Sequence, residues 1–215
     1  MPRFSVTTVL VLVNVIAYIW EVTSGTDFTS NRSLIEHGAL LGILVTQYGQ
    51  WWRIITGGFL HGGIAHIALN MFALYQLGRF VEAMLGPWRM LAIYAISLVG
   101  GGYAVAYFAP NDVTVGASGA IFGLFGALLG IGVRMGKAGR GLISQTLPIL
   151  VINLAFTFAV PFISKAGHLG GLVSGFVAGL FFAMRRRVPE PVVVDNATGV
   201  VSEAEYLPPP ATPQR

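Results

Sequence analysis

Six long apolar stretches constrain the fold of this 215-residue chain more than any other feature. They cover residues 4–20, 54–85, 88–109, 117–133, 142–160 and 168–184. A helix needs about 20 mostly apolar residues to cross a bilayer, with tolerance for tilt and for shorter hydrocarbon cores. The stretches are continuous and rich in Leu, Ala and Gly, whereas the strands of a membrane barrel alternate between apolar and polar residues. We therefore predict an all-α polytopic membrane protein with a bundle of six transmembrane helices.

Composition supports the same class of protein. Hydrophobic residues make up 54% of the chain and charged residues 10%, well below the roughly 25% charged residues of soluble domains. We expect one membrane domain over residues 1–187 and a disordered, proline-rich cytosolic tail over residues 188–215. The first stretch follows a short basic segment but lacks a small-residue cleavage site, so it is expected to be a retained signal anchor.

The basic residues are distributed unevenly between alternate loops. With a cytosolic N-terminus, only Arg32, Arg53 and Lys165 fall on the outer side. The inner side receives Arg3, Arg79, Arg89, Arg134, Lys137, Arg140, Arg185, Arg186 and Arg187. This positive-inside bias predicts that both termini are cytosolic. We expect a multi-pass protein of the cell membrane. A nucleic-acid partner is not expected, because its site would need a clustered, exposed basic patch.

Two polar side chains open apolar stretches at matching depth. Ser118 lies in Gly116-Ala117-Ser118-Gly119, and His168 follows Gly167. Both stretches run from the outer to the inner side, so both residues are expected near the outer face. Polar side chains within a bilayer are costly and are often functional. An imidazole that takes the hydroxyl proton would make serine a nucleophile, so the pair suggests a hydrolase working within the membrane.

The second stretch adds further polar groups at the same depth. It carries His61, His66 and Asn70, and the last two are i,i+4 neighbours on one helix face. His61 is more simply explained as a residue that caps or tethers the adjoining loop. No carboxylate is expected in the outer half of any span, so a catalytic triad has no third member and a serine–histidine dyad remains.

Glycines recur at spacings that favour close helix packing. Those of the fourth stretch fall at 119, 123, 126 and 130, and those of the sixth at 167, 171, 175 and 179. Small residues at such spacing let helix backbones approach closely in lipid. Packing of these two helices would bring Ser118 to His168, although glycines can serve packing alone. A serine flanked by glycines can also be a small packing residue, and a membrane histidine can be a structural hydrogen-bonding group.

Together these residues resemble the rhomboid intramembrane serine proteases. The resemblance covers about residues 1–185 and includes the Gly116–Gly119 motif, Gly167-His168, His66-x-x-x-Asn70 and Trp52-Arg53. The spacing Gly78-x-x-x-Glu82-x-x-x-Gly86 also fits. One departure is visible, because the aromatic residue on which the family's catalytic histidine stacks is often tyrosine and is here Phe122.

The resemblance implies a serine nucleophile at Ser118, a general base at His168 and an oxyanion site built from His66, Asn70 and the Ser118 backbone amide. Gly116, Gly119, Phe122 and Gly167 would support the site. The substrates would be single-pass membrane proteins within the lipid bilayer, and no metal or cofactor is needed. A catalytically inactive rhomboid-like protein that binds membrane helices is the alternative. A small transporter is disfavoured, since neither paired broken helices nor intramembrane acids are evident.

Overall fold

The computed structural model describes residues 5–183 and two short strands beyond them. Six long helices make up most of the described part. They are α1 (Val6–Thr23), α5 (Ile64–Leu85), α6 (Pro87–Phe108), α7 (Ser118–Arg134), α8 (Arg140–Ala159) and α9 (Lys165–Ala183). Short elements lie between them: α2 (Asn31–Glu36), β1 (Leu40–Leu41), α3 (Gly42–Thr46), α4 (Arg53–Thr56), β2 (Val113–Thr114) and a 3₁₀ turn at Gly136–Gly139.

The chain divides into two units, residues 1–184 and 185–215. Within the second unit, β3 (Val193–Val194) pairs antiparallel with β4 (Val201–Ser202). The remaining residues of the expected tail, and the basic residues at 185–187, lie outside the described residues.

Within the described part, four helical segments are long and apolar enough to cross a membrane: Val6–Thr23, Pro87–Phe108, Gly136–Ala159 and Lys165–Ala183. Helix α7 is apolar but shorter. Helix α5 has 22 residues, but polar residues such as His66, Asn70 and Glu82 lower its mean hydropathy. An all-α polytopic membrane protein is confirmed, and the count of six spans stays a prediction.

The apolar stretch at 54–85 is not one continuous helix. Helix α4 ends at Thr56, and α5 begins at Ile64 after a turn at Gly63, whose φ is 121°. Glycines at 57, 58, 62 and 63 explain the interruption, because glycine is a poor helix former and allows backbone angles that other residues avoid. The continuous stretch predicted that His61 lies on the same helix as His66 and Asn70. In the structure His61 instead lies in the connection before α5.

Helix α7 occupies the centre of the bundle. It buries 12 of its 17 residues, as expected for a helix surrounded by protein on most sides. Its apolar side chains join those of α1, α5 and α6 in the main hydrophobic core, with Leu74, Ile93 and Leu124 among the fully enclosed residues. The helix that carries Ser118 is thus the most enclosed element of the fold.

The long connection between α1 and α5 is folded rather than extended. Buried Arg53 holds it together by donating to the backbone oxygens of Ile35 and Ala39, both at 2.8 Å, and to Oε1 of Gln50 at 2.6 Å. Strand β1 then pairs antiparallel with β2, with Leu40 opposite Thr114. This pairing ties the connection to the segment that leads into α7.

Glu82, near the C-terminal end of α5, binds the N-terminus of α1. Its carboxylate accepts the backbone N–H groups of Val6 and Thr7 at 2.9 and 3.0 Å. It also accepts the hydroxyls of Thr7 and Ser5 at 2.6 and 3.0 Å. A carboxylate at a helix N-terminus satisfies backbone donors that have no intrahelical partner and interacts favourably with the helix dipole.

We expect Glu82→Gln to lower the free energy of unfolding by about 2–4 kcal/mol, because the amide loses the charge and turns an NH₂ group toward donors. Glu36→Gln is the matched control, since Glu36 only pairs with Arg32 on the surface and should leave stability unchanged. Unfolding in detergent measures both variants. Equal stability of the two would show that the Glu82 contacts do not hold α1.

Candidate active site

Ser118 is the first residue of α7 and is half-buried. The turn before it depends on Gly116, whose φ of 116° suits glycine. A Cβ at Gly116 would lie 2.8 Å from Nε2 and Cε1 of His66 and 3.8 Å from Oγ of Ser118. The Gly116 N–H also donates to the Gly57 carbonyl at 2.9 Å. Gly116 therefore leaves the space in which the His66 ring approaches Ser118.

His168 lies in the first turn of α9 and is 6% exposed. Its ring stacks on Phe122, with centroids 4.0 Å apart and planes 16° from parallel. Its Nδ1 atom lies 2.8 Å from the hydroxyl oxygen of Thr157 on α8. The stacking predicted for Phe122 is thus present without a tyrosine hydroxyl. Two contacts fix the ring, one on its face and one at its edge.

Ser118 and His168 line one small cavity of about 30 Å³, more than the roughly 10–15 Å³ that one water molecule needs. Gly116, Gly119 and Gly167 line it too, so all three glycines expected to support the site are there. Thr114 and Ser164 contribute further hydroxyl groups. The structure therefore brings together the two residues that the sequence placed at matching depth.

The glycines of α7 and α9 let the two helix backbones meet. A Cβ at Gly171 would overlap the carbonyl oxygen of Gly119, and one at Gly175 would overlap that of Gly123. On the other helix, a Cβ at Gly126 would overlap the carbonyl oxygen of Leu172. The close packing that the glycine spacing predicted is confirmed. Backbone contact, not side-chain contact, sets the distance between the helices that carry Ser118 and His168.

His66 and Asn70 lie one turn apart on α5. The Gly62 N–H donates to Nδ1 of His66 at 3.2 Å, and Nδ2 of Asn70 donates to the His66 carbonyl at 3.0 Å. Oδ1 of Asn70 is buried without a hydrogen-bond partner in the described part of the chain. Neither His66 nor Asn70 lines the cavity that Ser118 and His168 share; the His66 ring lies beside Gly116, which does line it, and Asn70 lies one turn further along α5.

Glu21 corrects the expectation that no carboxylate occurs in the outer half of a span. Helix α1 continues to Thr23, and Glu21 is fully buried near its end. Its two carboxylate oxygens accept the backbone N–H of His61, at 3.2 and 3.0 Å. It binds the connection before α5 and has no bond to His168, so it does not complete a triad. The first apolar stretch ends at Trp20, so the sequence did not indicate that the helix continues and that Glu21 belongs to it.

His61 has a tethering role in this arrangement, as the simpler interpretation predicted. Its backbone is held by Glu21, and its Nδ1 atom donates to the Phe59 carbonyl at 3.1 Å. The fully buried ring meets the His66 ring edge to face, with centroids 5.2 Å apart. Within the described residues, no three His, Asp or Glu side chains lie close enough together to share a metal ion.

Comparison with known proteins places this architecture in a family. The rhomboid domain model matches residues 48–185. Rhomboid protease GluP of Bacillus subtilis (strain 168) is 41% identical over 162 residues, which are 75% of this chain and 31% of GluP. RHOMBOID-like protein 6, mitochondrial, of Arabidopsis thaliana is 36% identical over 159 residues, 73% of this chain and 52% of that protein. RHOMBOID-like protein 1 of the same plant is 35% identical over 159 residues, 73% and 41% of the two chains.

The apolar helices and this match define an integral, multi-pass membrane protein. The chain belongs to the rhomboid family, because the family model covers well over half of it. It spans about a third to a half of the length of the relatives named above.

Proposed function

We propose that this chain is an intramembrane serine endopeptidase that cleaves transmembrane helices by a Ser118–His168 dyad. The observation that carries the proposal is that these two residues, from different helices, line the same cavity. A nucleophile and a base on separate, closely packed helices can be held in a fixed relation to one another. The family membership and the named protease among the relatives support the same activity.

In the acylation step, His168 accepts the hydroxyl proton of Ser118 while the serine oxygen attacks the carbonyl carbon of the scissile peptide. The tetrahedral intermediate collapses, the carbon–nitrogen bond breaks, and the imidazolium returns the proton to the leaving amine. The product is an ester between Ser118 and the N-terminal part of the substrate. After the amine leaves, a water molecule takes its place and attacks the ester carbon while His168 accepts a proton from that water. The ester bond then breaks, and His168 returns the proton to the oxygen of Ser118.

We assign three donors to the negatively charged oxygen of that intermediate. The Gly62 N–H donates to Nδ1 of His66, so the neutral ring carries its proton on Nε2, the atom that approaches Gly116. Asn70 uses one N–H toward His66 and has a second one free to donate. Ser118 begins α7, and backbone N–H groups in a first helical turn have no intrahelical partner.

The site lies at one end of the helix bundle, and the distribution of basic residues indicates which side of the membrane that end faces. Ser118 and His168 begin α7 and α9, whereas Arg134 ends α7. The positive-inside rule places the basic ends in the cytosol and the dyad near the outer face of the cell membrane, with both termini cytosolic. The substrates are single-pass membrane proteins, whose helix must unwind locally because a hydrogen-bonded helical backbone shields its carbonyls.

A fluorophosphonate probe on the purified protein tests the proposal. The probe reacts with activated serine hydroxyls, and peptide mapping distinguishes Ser118 from Ser164, which lines the same cavity. We expect an adduct on Ser118 that is lost in Ser118→Ala. Folded protein that takes up no probe and cleaves no membrane-anchored substrate would instead favour the inactive, helix-binding alternative.

We expect His66→Ala and Asn70→Ala to lower turnover by about 10- to 10³-fold, with smaller effects on KM, because a donor to the oxyanion acts mainly in the transition state. Asn153→Ala is the matched control: Nδ2 of Asn153 donates to the Ile149 carbonyl on α8, as Nδ2 of Asn70 does to His66. Turnover and thermal stability are measured side by side. Parallel losses of stability and activity would assign His66 and Asn70 to packing and remove them from the site.

A further inference from the structure

Thr157 is a residue of α8 that contacts His168. Helix α8 buries only Thr146, Leu150 and Thr157, and Thr157 is 1% exposed. Its hydroxyl oxygen lies 2.8 Å from Nδ1 of His168 and 2.8 Å from the carbonyl oxygen of Asn153. No motif or spacing in the sequence points to Thr157.

The two contacts of Thr157 determine which of its neighbours carries a proton. A carbonyl oxygen can only accept, so the single hydroxyl proton of Thr157 is donated to Asn153. The hydroxyl oxygen then has only lone pairs to offer to His168, and Nδ1 of His168 must be the donor. A neutral imidazole has one proton, so Nε2 is left with a free lone pair.

We propose that Thr157 is a positioning residue that holds His168 in its Nδ1-protonated form, so that Nε2 is the base that accepts the Ser118 proton. The inference rests on the proposed function of the site. Stacking on Phe122 fixes the plane of the His168 ring, but rotation within that plane and the position of the proton are left open. The bond to Thr157 fixes both. It supplies from a neutral hydroxyl the orientation that serine–histidine–aspartate sites take from a carboxylate.

This role explains how a dyad without a nearby carboxylate can still have a defined proton arrangement. Glu21 is the carboxylate buried at this end of the bundle, and it is occupied by the His61 backbone. A neutral acceptor also avoids placing a second charge in an apolar site, where an uncompensated carboxylate would be costly. Because Thr157 belongs to α8, a third helix takes part in positioning the pair on α7 and α9.

Kinetics of two substitutions test the inference. Thr157→Val removes the hydroxyl with little change of shape, and Thr157→Ser keeps it. We expect kcat to fall by about 10- to 100-fold in Thr157→Val, the effect of leaving one buried donor without a partner, with KM within about threefold. Thr157→Ser should stay within about threefold of the wild type in both quantities. Thr146→Val is the matched control, because Thr146 makes the same bond to the preceding turn of α8, at 2.8 Å to Leu142, away from the site.

A second measurement reports the proton directly and does not depend on activity. Nitrogen NMR of ¹⁵N-histidine-labelled protein, assigned with His168→Ala, should show protonated Nδ1 and unprotonated Nε2 for His168. Thr157→Val should give a mixture of the two neutral forms. A wild-type proton on Nε2 would overturn the inference, as would a Thr157→Val enzyme as active as Thr146→Val. If Thr157→Val does not fold, the wild-type spectrum and the kinetics of Thr157→Ser still test whether Thr157 holds the proton of His168 on Nδ1.

The two proposals fail in different ways. A wild-type protein whose Ser118 reacts with no probe would contradict the proposed protease function, while the His168 spectrum would still test the bond to Thr157. A protein that labels and cleaves normally, with a Thr157→Val variant equal to wild type, would contradict only the role of Thr157.

Discussion

Ser118→Ala and His168→Ala should each abolish cleavage of a membrane-anchored reporter while leaving the protein folded and inserted. The nucleophile and its base act as one unit, so we expect a loss of at least about 10³-fold from either change and little further loss in the double variant. Ser118 is half-buried, so Ser118→Ala should change thermal unfolding little, whereas His168→Ala leaves a gap beside Phe122 and should lower the unfolding temperature of a protein that still folds. Single-turnover cleavage of the reporter in proteoliposomes measures the effect.

Ser144→Ala is the matched control for the nucleophile. Ser144 is exposed on α8, where its hydroxyl donates to the Gly141 carbonyl at 3.0 Å, and its loss should leave cleavage unchanged. Substantial residual cleavage by Ser118→Ala would contradict the assignment of the nucleophile. Strict additivity of the two single losses in the double variant would contradict the idea that the residues form one unit.

Gly171→Val should inactivate the protein although Ser118 and His168 are both still present. The added side chain would occupy the position of the Gly119 carbonyl oxygen, so α7 and α9 must separate. A displacement of about 1 Å between reacting groups can cost roughly 100-fold in rate, and we expect at least that loss in cleavage. Overpacking should also lower the free energy of unfolding by about 1–3 kcal/mol. Reporter cleavage and unfolding in detergent measure both effects.

Gly141→Val provides the comparison, because Gly141 is the second residue of α8 and has no atom near the position of an added Cβ within the described structure. That variant should keep its activity. An unchanged cleavage rate in Gly171→Val would mean that α7 and α9 do not meet through this face.

The helices and their closest contact were predictable because they follow from patterns that repeat along the chain. Apolar runs locate α6, α7, α8 and α9 to within a few residues, and glycines every fourth residue predict which faces meet. The stretch at 54–85 is long enough to include a turn, but its hydropathy could not place the break at residues 57–63, because a hydropathy pattern does not distinguish a buried loop from a helix. The folded connection between α1 and α5 depends on Arg53, whose acceptors are distant backbone carbonyls that no sequence spacing reveals.

The residues of the candidate site that can be found from their depth along a helix were predictable. The one whose role depends on the direction of its side chain was missed. Ser118 and His168 begin apolar runs, so counting residues places them near the same face. Thr157 lies near the C-terminal end of α8, at the same end of the bundle as Ser118 and His168, and the same count could have included it. A threonine in a membrane helix usually bonds its own backbone, however, and only the structure reveals that its oxygen also meets His168.

The backbone contact between α7 and α9 has a mechanical consequence. Closely packed interiors resist small deformations, and glycine carbonyls pressed against glycine Cα atoms leave no side chains between the helices that could rearrange. The two helices therefore behave as one rigid unit, so a change in bilayer thickness or lateral pressure should leave the spacing between Ser118 and His168 unchanged.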